Sequence, residues 1–200
     1  MLAMRLYHVP GSRSTRVLWM LEEAGAPFEL TVMKPDDRLG DEHLKRHPLG
    51  RVPAADTAGG PLFESAALVL QIADANPQAG LIAPLGSHER ALQYQWAFYA
   101  CTEIEPGFVE FYRHRETDSA RADAGRESFR TAAAVVDKLL ADRDYLVGGA
   151  FSVADVIAGS ALQYGRQLEL SGGLANVNAY LERLDTRPAL VRARAVPAAS

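Results

Sequence analysis

The sequence predicts an α/β domain followed by an all-helical domain. Short apolar strands and amphipathic helices alternate in the first part of the chain, whereas the periodic segments after about residue 88 have only helical spacing. Between these parts, residues 77–87 contain two prolines, two glycines and no charged side chain. Because such a composition is typical of a domain linker, we predict domains at residues 1–79 and 88–200 and a linker at residues 80–87.

The first domain opens with a strand at residues 6–9, which Pro10-Gly11 ends. Apolar residues then repeat at helical spacing up to Gly25, a natural C-terminal stop for a helix. Residues 28–33 form a second strand, and residues 39–46 form a weak polar helix that stops before Pro48. With the hairpin described next, the order is β-α-β-α-β-β-α, which closes one mixed sheet.

A hairpin and a helix start are predicted between Arg51 and Leu68. The Gly59-Gly60 pair separates two short apolar runs, and Ser65 opens a helical pattern. If Pro53 is cis, the backbone groups of Val52 are left free to bind an extended peptide. Glu64 would meet an amino group, while the free N–H groups of the helix start would meet a carboxylate. The alternative is a hairpin and a capped helix without a ligand.

The second domain contains one strong helix-start signal and an aromatic stripe. Ser152 with Asp155 three residues later predicts a capping box, whose meaning is structural. Pro106-Gly107 should kink or interrupt the helix that carries part of the stripe. A further helix is predicted at residues 175–184. Most of the stripe belongs to the core, and it comprises Trp96, Tyr99, Phe108, Phe111 and Tyr112.

Composition and charge exclude several classes of protein. The chain has 48% apolar residues and a net charge of −4, which indicates a globular protein and argues against a nucleic-acid partner. Its apolar runs are too short to span a membrane, and Met1–Met4 lead straight into the first strand, which predicts no signal peptide. The lone Cys101 predicts no internal disulfide and a reducing cytoplasm. No HExxH, P-loop or CxxC motif occurs.

The residues from Pro53 through the hairpin to Glu64-Ser65-Ala-Ala-Leu resemble the glutathione-binding half of the cytosolic glutathione transferases, a thioredoxin-like domain. The strings LVGGAFSVADVIAGSAL and NAYLERLDTRPALVRA are similar to that family's all-helical second domain. The resemblance implies a cytoplasmic detoxification enzyme that uses glutathione as co-substrate. It also implies a homodimer in which the first domain of one subunit pairs with the second domain of the other.

The implied chemistry requires that the glutathione thiol become a thiolate. A free thiol has a pKa of about 8.5, and lowering it by two units requires roughly 2.7 kcal/mol of preference for the anion. One hydrogen bond to a charged group contributes about 1.5–3 kcal/mol, so a single hydroxyl at a helix start is nearly sufficient without a base or a metal. Ser12 resembles the donor of the serine-type transferases, with Ser14 and then Tyr7 as alternatives. Ser12 could also be a simple N-cap.

The resemblance also assigns the binding residues. Val52, beside Pro53, would bond the cysteinyl backbone, and Glu64 and Ser65 would hold the γ-glutamyl end. Arg38, Arg51 and Lys34 are candidates for the glycyl carboxylate, although His47-Pro48 replaces the usual Asn-Pro. From the aromatic stripe, Phe108 and Tyr112, which lie near the expected kink at Pro106, would line a pocket for a small electrophile. The alternatives are a glutathione-dependent isomerase or dehalogenase, or a noncatalytic binding or regulatory module on the same fold.

Overall fold

The computed structural model describes residues 4–34 and 36–199. Residues 1–3, on which the prediction of no signal peptide partly depends, lie outside this range. By their internal contacts, the residues form two compact units. The first comprises Met1–Leu81 together with Arg187–Ser200, and the second comprises Ile82–Thr186.

The first unit contains a mixed four-stranded sheet and the helices that follow its strands. The sheet order is β2-β1-β3-β4, with β1 parallel to β2 and antiparallel to β3, and β3 antiparallel to β4. This architecture confirms the predicted thioredoxin-like fold class. The elements are β1 (Met4–His8), α1 (Ser14–Ala24), β2 (Phe28–Val32), α2 (Asp41–Leu44), β3 (Ala54–Thr57), β4 (Gly60–Phe63) and α3 (Ser65–Ala75).

The core of this unit lies where the apolar faces of its helices meet β1. Leu6, at the centre of β1, is paired with Leu30 of β2 and Ala55 of β3 and is fully buried. Helix α1 buries Val17, Leu18 and Leu21, and helix α3 buries further apolar residues against it, Leu68 and Ile72 among them. Helix α1 ends at Gly25 in the left-handed conformation, as predicted.

The region predicted as one polar helix over residues 39–46 is instead split. A 3₁₀ turn covers Asp36–Leu39, and α2 is a single turn. Gly40 lies between them in an extended conformation (φ −71°, ψ 147°), which breaks the helical hydrogen-bond pattern. The sequence has no apolar stripe here that would hold a longer helix against the sheet.

The second unit is helical throughout, as predicted. It contains α4 (His88–Tyr99), α5 (Glu105–His114), α6 (Ser119–Leu139), α7 (Val153–Gln167) and α8 (Ala175–Asp185). The interruption expected at Pro106 takes the form of a π-helical turn at Ala100–Ile104, directly before α5. The predicted capping box is present at the start of α7, where Asp155 accepts from the Ser152 N–H at 2.9 Å.

Helices α5 and α6 approach one another closely at two glycines. A Cβ on Gly107 would lie 2.5 Å from the Phe129 nitrogen, and a Cβ on Gly125 would lie 2.5 Å from the Phe111 nitrogen. Both distances are too short for non-bonded atoms, so each position requires a residue without a side chain. The two glycines therefore set how closely the helices pack.

The last helix, α9 (Pro188–Arg194), groups with the first unit, whereas the sequence placed residues 188–200 in the helical domain. The reason is its contact with α1. Arg187 donates to both oxygens of Glu23 at 2.6 and 2.8 Å, and Arg192 donates to Glu22 at 2.6 Å. Three small or apolar side chains of α9 are also buried, namely Ala189, Leu190 and Ala193.

Residues 80–87, predicted as the linker, contain no helix or strand. The domain boundaries drawn from the sequence stay a prediction. Within residues 4–34 and 36–199, no helix combines the length and the apolarity that crossing a lipid bilayer requires.

Candidate active site

A turn of polar side chains connects β1 to α1 and carries the predicted Ser12. The turn is closed by the Ser12 N–H, which donates to the Val9 carbonyl at 3.2 Å. The Ser12 hydroxyl is half-buried and donates to the same carbonyl at 2.7 Å, while its oxygen accepts from the Ser14 N–H at 3.2 Å. The N-cap position of α1 is Arg13, not Ser12. The Ser12 hydroxyl is thus held at a helix start and remains partly accessible.

Ser14, the alternative donor, is the first residue of α1 and is completely buried. Its oxygen accepts from the Val9 N–H at 3.1 Å and lies 2.7 Å from the Ser12 oxygen. It also lies 2.8 Å from Nδ1 of His8, the last residue of β1. Ser14 therefore joins two other side chains and has no access to solvent.

His8 is a fully buried titratable residue beneath this turn. Burial lowers the pKa of His8 to about 4, against the opposing effect of a hydrogen bond with the Ser14 backbone. The imidazole is consequently neutral at pH 7, with one N–H and one lone pair. Its Nε2 atom has no hydrogen-bond partner among the described residues.

Tyr7, the third candidate donor, is engaged elsewhere. Its hydroxyl donates to Asp56 at 2.8 Å, and Arg46 lies over its ring with 4.5 Å between the guanidinium carbon and the ring centroid. Burial and the Asp56 contact raise the pKa of the Tyr7 hydroxyl. Arg46 also binds Asp56 through two contacts of 3.0 and 3.1 Å. The tyrosine is part of this charged cluster.

The start of α3 carries Glu64 and Ser65. Glu64 is exposed and has a positive φ of 73°, which is uncommon for a residue with a side chain. Such conformations cost about 1–3 kcal/mol and cluster at ligand sites. Ser65 is buried, and its oxygen accepts from a nitrogen of the buried Arg16 at 3.3 Å. Because Arg16 lies in the first turn of α1, this contact ties the start of α3 to the start of α1.

The loop before β3 holds Val52 and Pro53, joined by a cis peptide bond. Val52 is half-buried and packs against Tyr7, Met33 and Ala54. The buried His43 donates from Nε2 to the Arg51 carbonyl at 2.9 Å, which fixes the loop from the side of α2.

The three candidate cations for a carboxylate lie around this loop. Arg51 and Lys34 are exposed, and Arg38 is half-buried in the 3₁₀ turn. The Arg38 carbonyl lies against Gly50, where a Cβ would come within 2.8 Å of the carbonyl oxygen and where φ is +60°. A glycine is therefore required at position 50 for both reasons.

The two predicted electrophile-pocket residues lie on α5 of the helical unit. Phe108 is buried and stacks on Tyr164, with 5.4 Å between the ring centroids. Tyr112 is 57% exposed, and Arg115 lies over its ring at 4.3 Å. Of the other aromatic residues in the stripe, Trp96 and Phe111 are buried, and Tyr99 donates to the Ala132 carbonyl at 3.1 Å.

Sequence reasoning missed two members of this region, His8 and Arg16. Alternation along a strand indicates which face a residue occupies but not its hydrogen-bond partner, so His8 read as an ordinary strand residue. Arg16 sits in an otherwise apolar helix face, a pattern that was a usable signal for a buried charge. In the described part of the chain, no group of three or more His, Cys, Asp or Glu side chains could hold a metal ion.

Comparison with known proteins matches both parts of the chain. Residues 2–74 match the family model described as glutathione S-transferase, N-terminal domain, and residues 99–188 match the glutathione S-transferase, C-terminal domain. Glutathione S-transferase GstA of Escherichia coli O157:H7 is 29% identical over 190 residues, which cover 92% of this chain and 94% of that protein.

A solved structure of a glutathione S-transferase and part of an elongation factor are also similar to this chain. The structure of a sphingomonad glutathione S-transferase complexed with glutathione has 31% identity and a TM-score of 0.86, covering 95% of this chain and 96% of that one. Elongation factor 1-gamma of Prunus avium is 29% identical over 161 residues, which cover 75% of this chain but only 37% of that protein.

Proposed function

Since the chain belongs to the cytosolic glutathione S-transferase family of enzymes, we propose that it conjugates the thiolate of glutathione to small hydrophobic electrophiles in the cytoplasm. Ser12 is the proposed donor of a hydrogen bond to the sulfur. The protein contributes a lowered thiol pKa and orientation, with no covalent intermediate on the enzyme. Glutathione is the co-substrate, and the proposed chemistry uses no metal.

The observation that supports Ser12 is the access of its hydroxyl. Among the three candidates, Ser14 is fully buried and the Tyr7 hydroxyl donates to Asp56, whereas Ser12 is half-buried at the start of α1. Its O–H points to the Val9 carbonyl when no thiolate is present and can rotate toward a sulfur. A thiolate at this position would also meet the positive end of the α1 dipole.

The proposed binding site for glutathione is formed by the loop at Val52-Pro53 and the start of α3. Val52 would bond the cysteinyl backbone, while Glu64 and Ser65 would hold the γ-glutamyl amino and carboxylate groups. The Ser65 oxygen already accepts from Arg16, so its own proton is available to a carboxylate.

Arg38 and Arg51, with Lys34 as a further candidate, would meet the glycyl carboxylate. Phe108 and Tyr112 are the residues proposed to contact the electrophile.

We predict that Ser12→Ala lowers kcat/KM for a chlorodinitrobenzene-type electrophile by about 10- to 100-fold at neutral pH, because one hydrogen bond to a charged group is worth about 1.5–3 kcal/mol. Steady-state kinetics measure this effect. Ser119→Ala, which changes an exposed serine at the start of α6, is the matched control and should leave the rate unchanged. If Ser12→Ala conjugates as fast as the wild type, the assignment of Ser12 is wrong.

The second candidate function is a noncatalytic binding or regulatory module. The similarity to part of an elongation factor 1-gamma supports it, because this region recurs there within a longer protein.

Retention on immobilised glutathione separates the two candidates. An enzyme should be retained and turn over an electrophile, and Glu64→Ala should abolish retention. Retention that Glu64→Ala abolishes, without turnover of any electrophile, would favour the module. Isomerase or dehalogenase activity would appear as turnover of those substrates.

A further inference from the structure

The side chains of Ser12, Ser14 and His8 form a continuous chain of short contacts that ends in the buried imidazole. The Ser12 oxygen lies 2.7 Å from the Val9 carbonyl oxygen and 2.7 Å from the Ser14 oxygen, and the Ser14 oxygen lies 2.8 Å from His8 Nδ1. His8 and Ser14 are both completely buried, so no solvent molecule competes for these contacts. His8 has no part in the proposed function as derived above.

A count of hydrogens fixes the direction of this chain. Each of the three contacts is short enough to require one hydrogen between its two heavy atoms. The Ser12 and Ser14 hydroxyls supply one hydrogen each, and the Val9 carbonyl supplies none. The third hydrogen must therefore come from His8, which places its proton on Nδ1.

The Ser14 oxygen also lies 3.2 Å from the Val9 carbonyl oxygen, but its contact with Ser12 is shorter at 2.7 Å, so we assign the Ser14 hydrogen to Ser12. The other contacts agree with this assignment. The Ser14 oxygen then accepts twice, from His8 Nδ1–H and from the Val9 N–H at 3.1 Å. The Ser12 oxygen also accepts twice, from the Ser14 hydroxyl and from the Ser14 N–H at 3.2 Å. Both hydroxyl oxygens are saturated as acceptors. With the proton on Nε2 instead, one of the three contacts would have no hydrogen, and a buried N–H would have no acceptor among the described residues.

We propose that His8 and Ser14 are positioning residues that direct the Ser12 proton outward, an inference that rests on the proposed role of Ser12. His8 donates to Ser14, Ser14 donates to Ser12, and Ser12 can then act toward a thiolate only as a donor. When the thiolate is present, the Ser12 hydrogen turns from the Val9 carbonyl to the sulfur. No proton is transferred along the chain. Consecutive donors polarise one another, which strengthens the last hydrogen bond.

The first test is the tautomer of His8 in the ligand-free protein, measured by two-bond ¹H–¹⁵N correlation spectra of histidine-labelled wild type. The chain has five histidines, and the resonance absent from His8→Asn identifies His8. We expect a neutral ring protonated at Nδ1. A ring protonated at Nε2 would overturn the proposal. This measurement does not depend on glutathione binding.

The second test is the pKa of bound glutathione, followed by thiolate absorbance across pH in two His8 variants. His8→Phe removes the donor and should raise that pKa by about one unit. At a pH low enough to keep the bound thiol protonated, the dissociation constant for glutathione should change less than about twofold, because the lost stabilisation applies only to the thiolate. His8→Asn keeps an N–H near the position of Nδ1 and should restore the wild-type value. His88→Phe, at an exposed histidine of α4, is the matched control and should change nothing. An unchanged thiol pKa in His8→Phe would overturn the proposal.

The two tests separate failure of this proposal from failure of the proposed function. A wild type that binds glutathione as a thiolate, with a His8→Phe variant of equal thiol pKa, overturns the positioning role alone. A wild type that binds no glutathione overturns the proposed function and with it any role of His8 at the sulfur. In that case, an Nδ1 tautomer would still support the hydrogen-bond chain itself.

Discussion

At the scale of single residues, three hydroxyls stand near the end of β1, and their partners distinguish them. Tyr7 donates to Asp56, Ser14 is enclosed between Val9, His8 and Ser12, and Ser12 alone of these three has an accessible side chain. Chemical type does not separate these hydroxyls, because each could donate to a sulfur. Burial and hydrogen bonding separate them, and neither is visible in the sequence.

We predict that Tyr7→Phe leaves conjugation within about twofold of the wild type while lowering the free energy of unfolding by about 1 kcal/mol, since it removes the bond to Asp56. Kinetics and urea unfolding give the two numbers. Tyr94→Phe, which removes a hydroxyl bonded to Arg90 in the helical unit, is a control for the loss of stability. A tenfold loss of rate in Tyr7→Phe would make the tyrosine, and not Ser12, the donor.

His8 should also make the folded protein sensitive to acid. Burial lowers its pKa from 6.5 to about 4, so between these values the unfolded chain binds a proton that the folded chain does not. The free energy of unfolding should consequently fall as the pH is lowered, by about 2 kcal/mol between pH 7 and pH 5 from this residue.

The measurement compares urea unfolding of the wild type and of His8→Asn at both pH values, so that contributions from other groups cancel. We expect the wild type to lose more stability than the variant. An equal loss in both would mean that His8 titrates in the folded protein as it does in the unfolded chain.

Residue types and spacing, together with the resemblance to the glutathione transferases, were sufficient to propose Ser12, Glu64, Ser65 and Val52 as site residues. They were not sufficient to rank Ser12 above Ser14, since the two lie two positions apart in the same turn. His8 was missed because its importance depends on a neighbour six residues later, Ser14. These assignments stay predictions until the variants are measured.

At the scale of elements, the close contact of α5 and α6 is set by glycine. We predict that Gly125→Ala lowers the free energy of unfolding by about 1–3 kcal/mol, because the new Cβ would lie 2.5 Å from the backbone of Phe111. Urea unfolding measures the effect. Gly172→Ala is the matched control, because no atom lies within 4 Å of a Cβ built there. Equal stability of the Gly125 variant would show that the helices can separate at no cost.

Most elements were predictable because their signals are local. Gly25 ends α1, Ser152 and Asp155 cap α7, and Gly59-Gly60 turns the hairpin as expected. The segment around α2 was not predictable in detail. It has no apolar periodicity, so its form depends on Gly40 and on contacts such as that of His43 with the Arg51 carbonyl.

At the scale of the whole molecule, we propose a homodimer. Both units expose large apolar side chains, with Phe63 41% exposed on β4 and Phe98 62% exposed on α4. Light scattering at micromolar concentration should give twice the mass of one chain. Phe98→Ser and Phe63→Ser are variants that should weaken the association, and a monomeric wild type under these conditions would contradict the proposal.

The position of α9 was the part of the architecture that sequence reasoning could not supply. The helix was recognised as helical, but the partners of Arg187 and Arg192 are Glu23 and Glu22, more than 160 positions earlier in the chain. Charge pairing over such a separation has no periodic signal. The predicted domain boundary, drawn from composition alone, could not detect it.

The return of α9 to α1 bears on how the protein is made. Helix α1 and the sheet leave the ribosome early, but their unit is not complete until residues 187–194 have been translated. During synthesis, Glu22 and Glu23 cannot form their contacts with Arg192 and Arg187 while residues 82–186 are being translated. The nascent sheet unit therefore reaches its final form only after residues 82–186, which separate its two parts, have been translated.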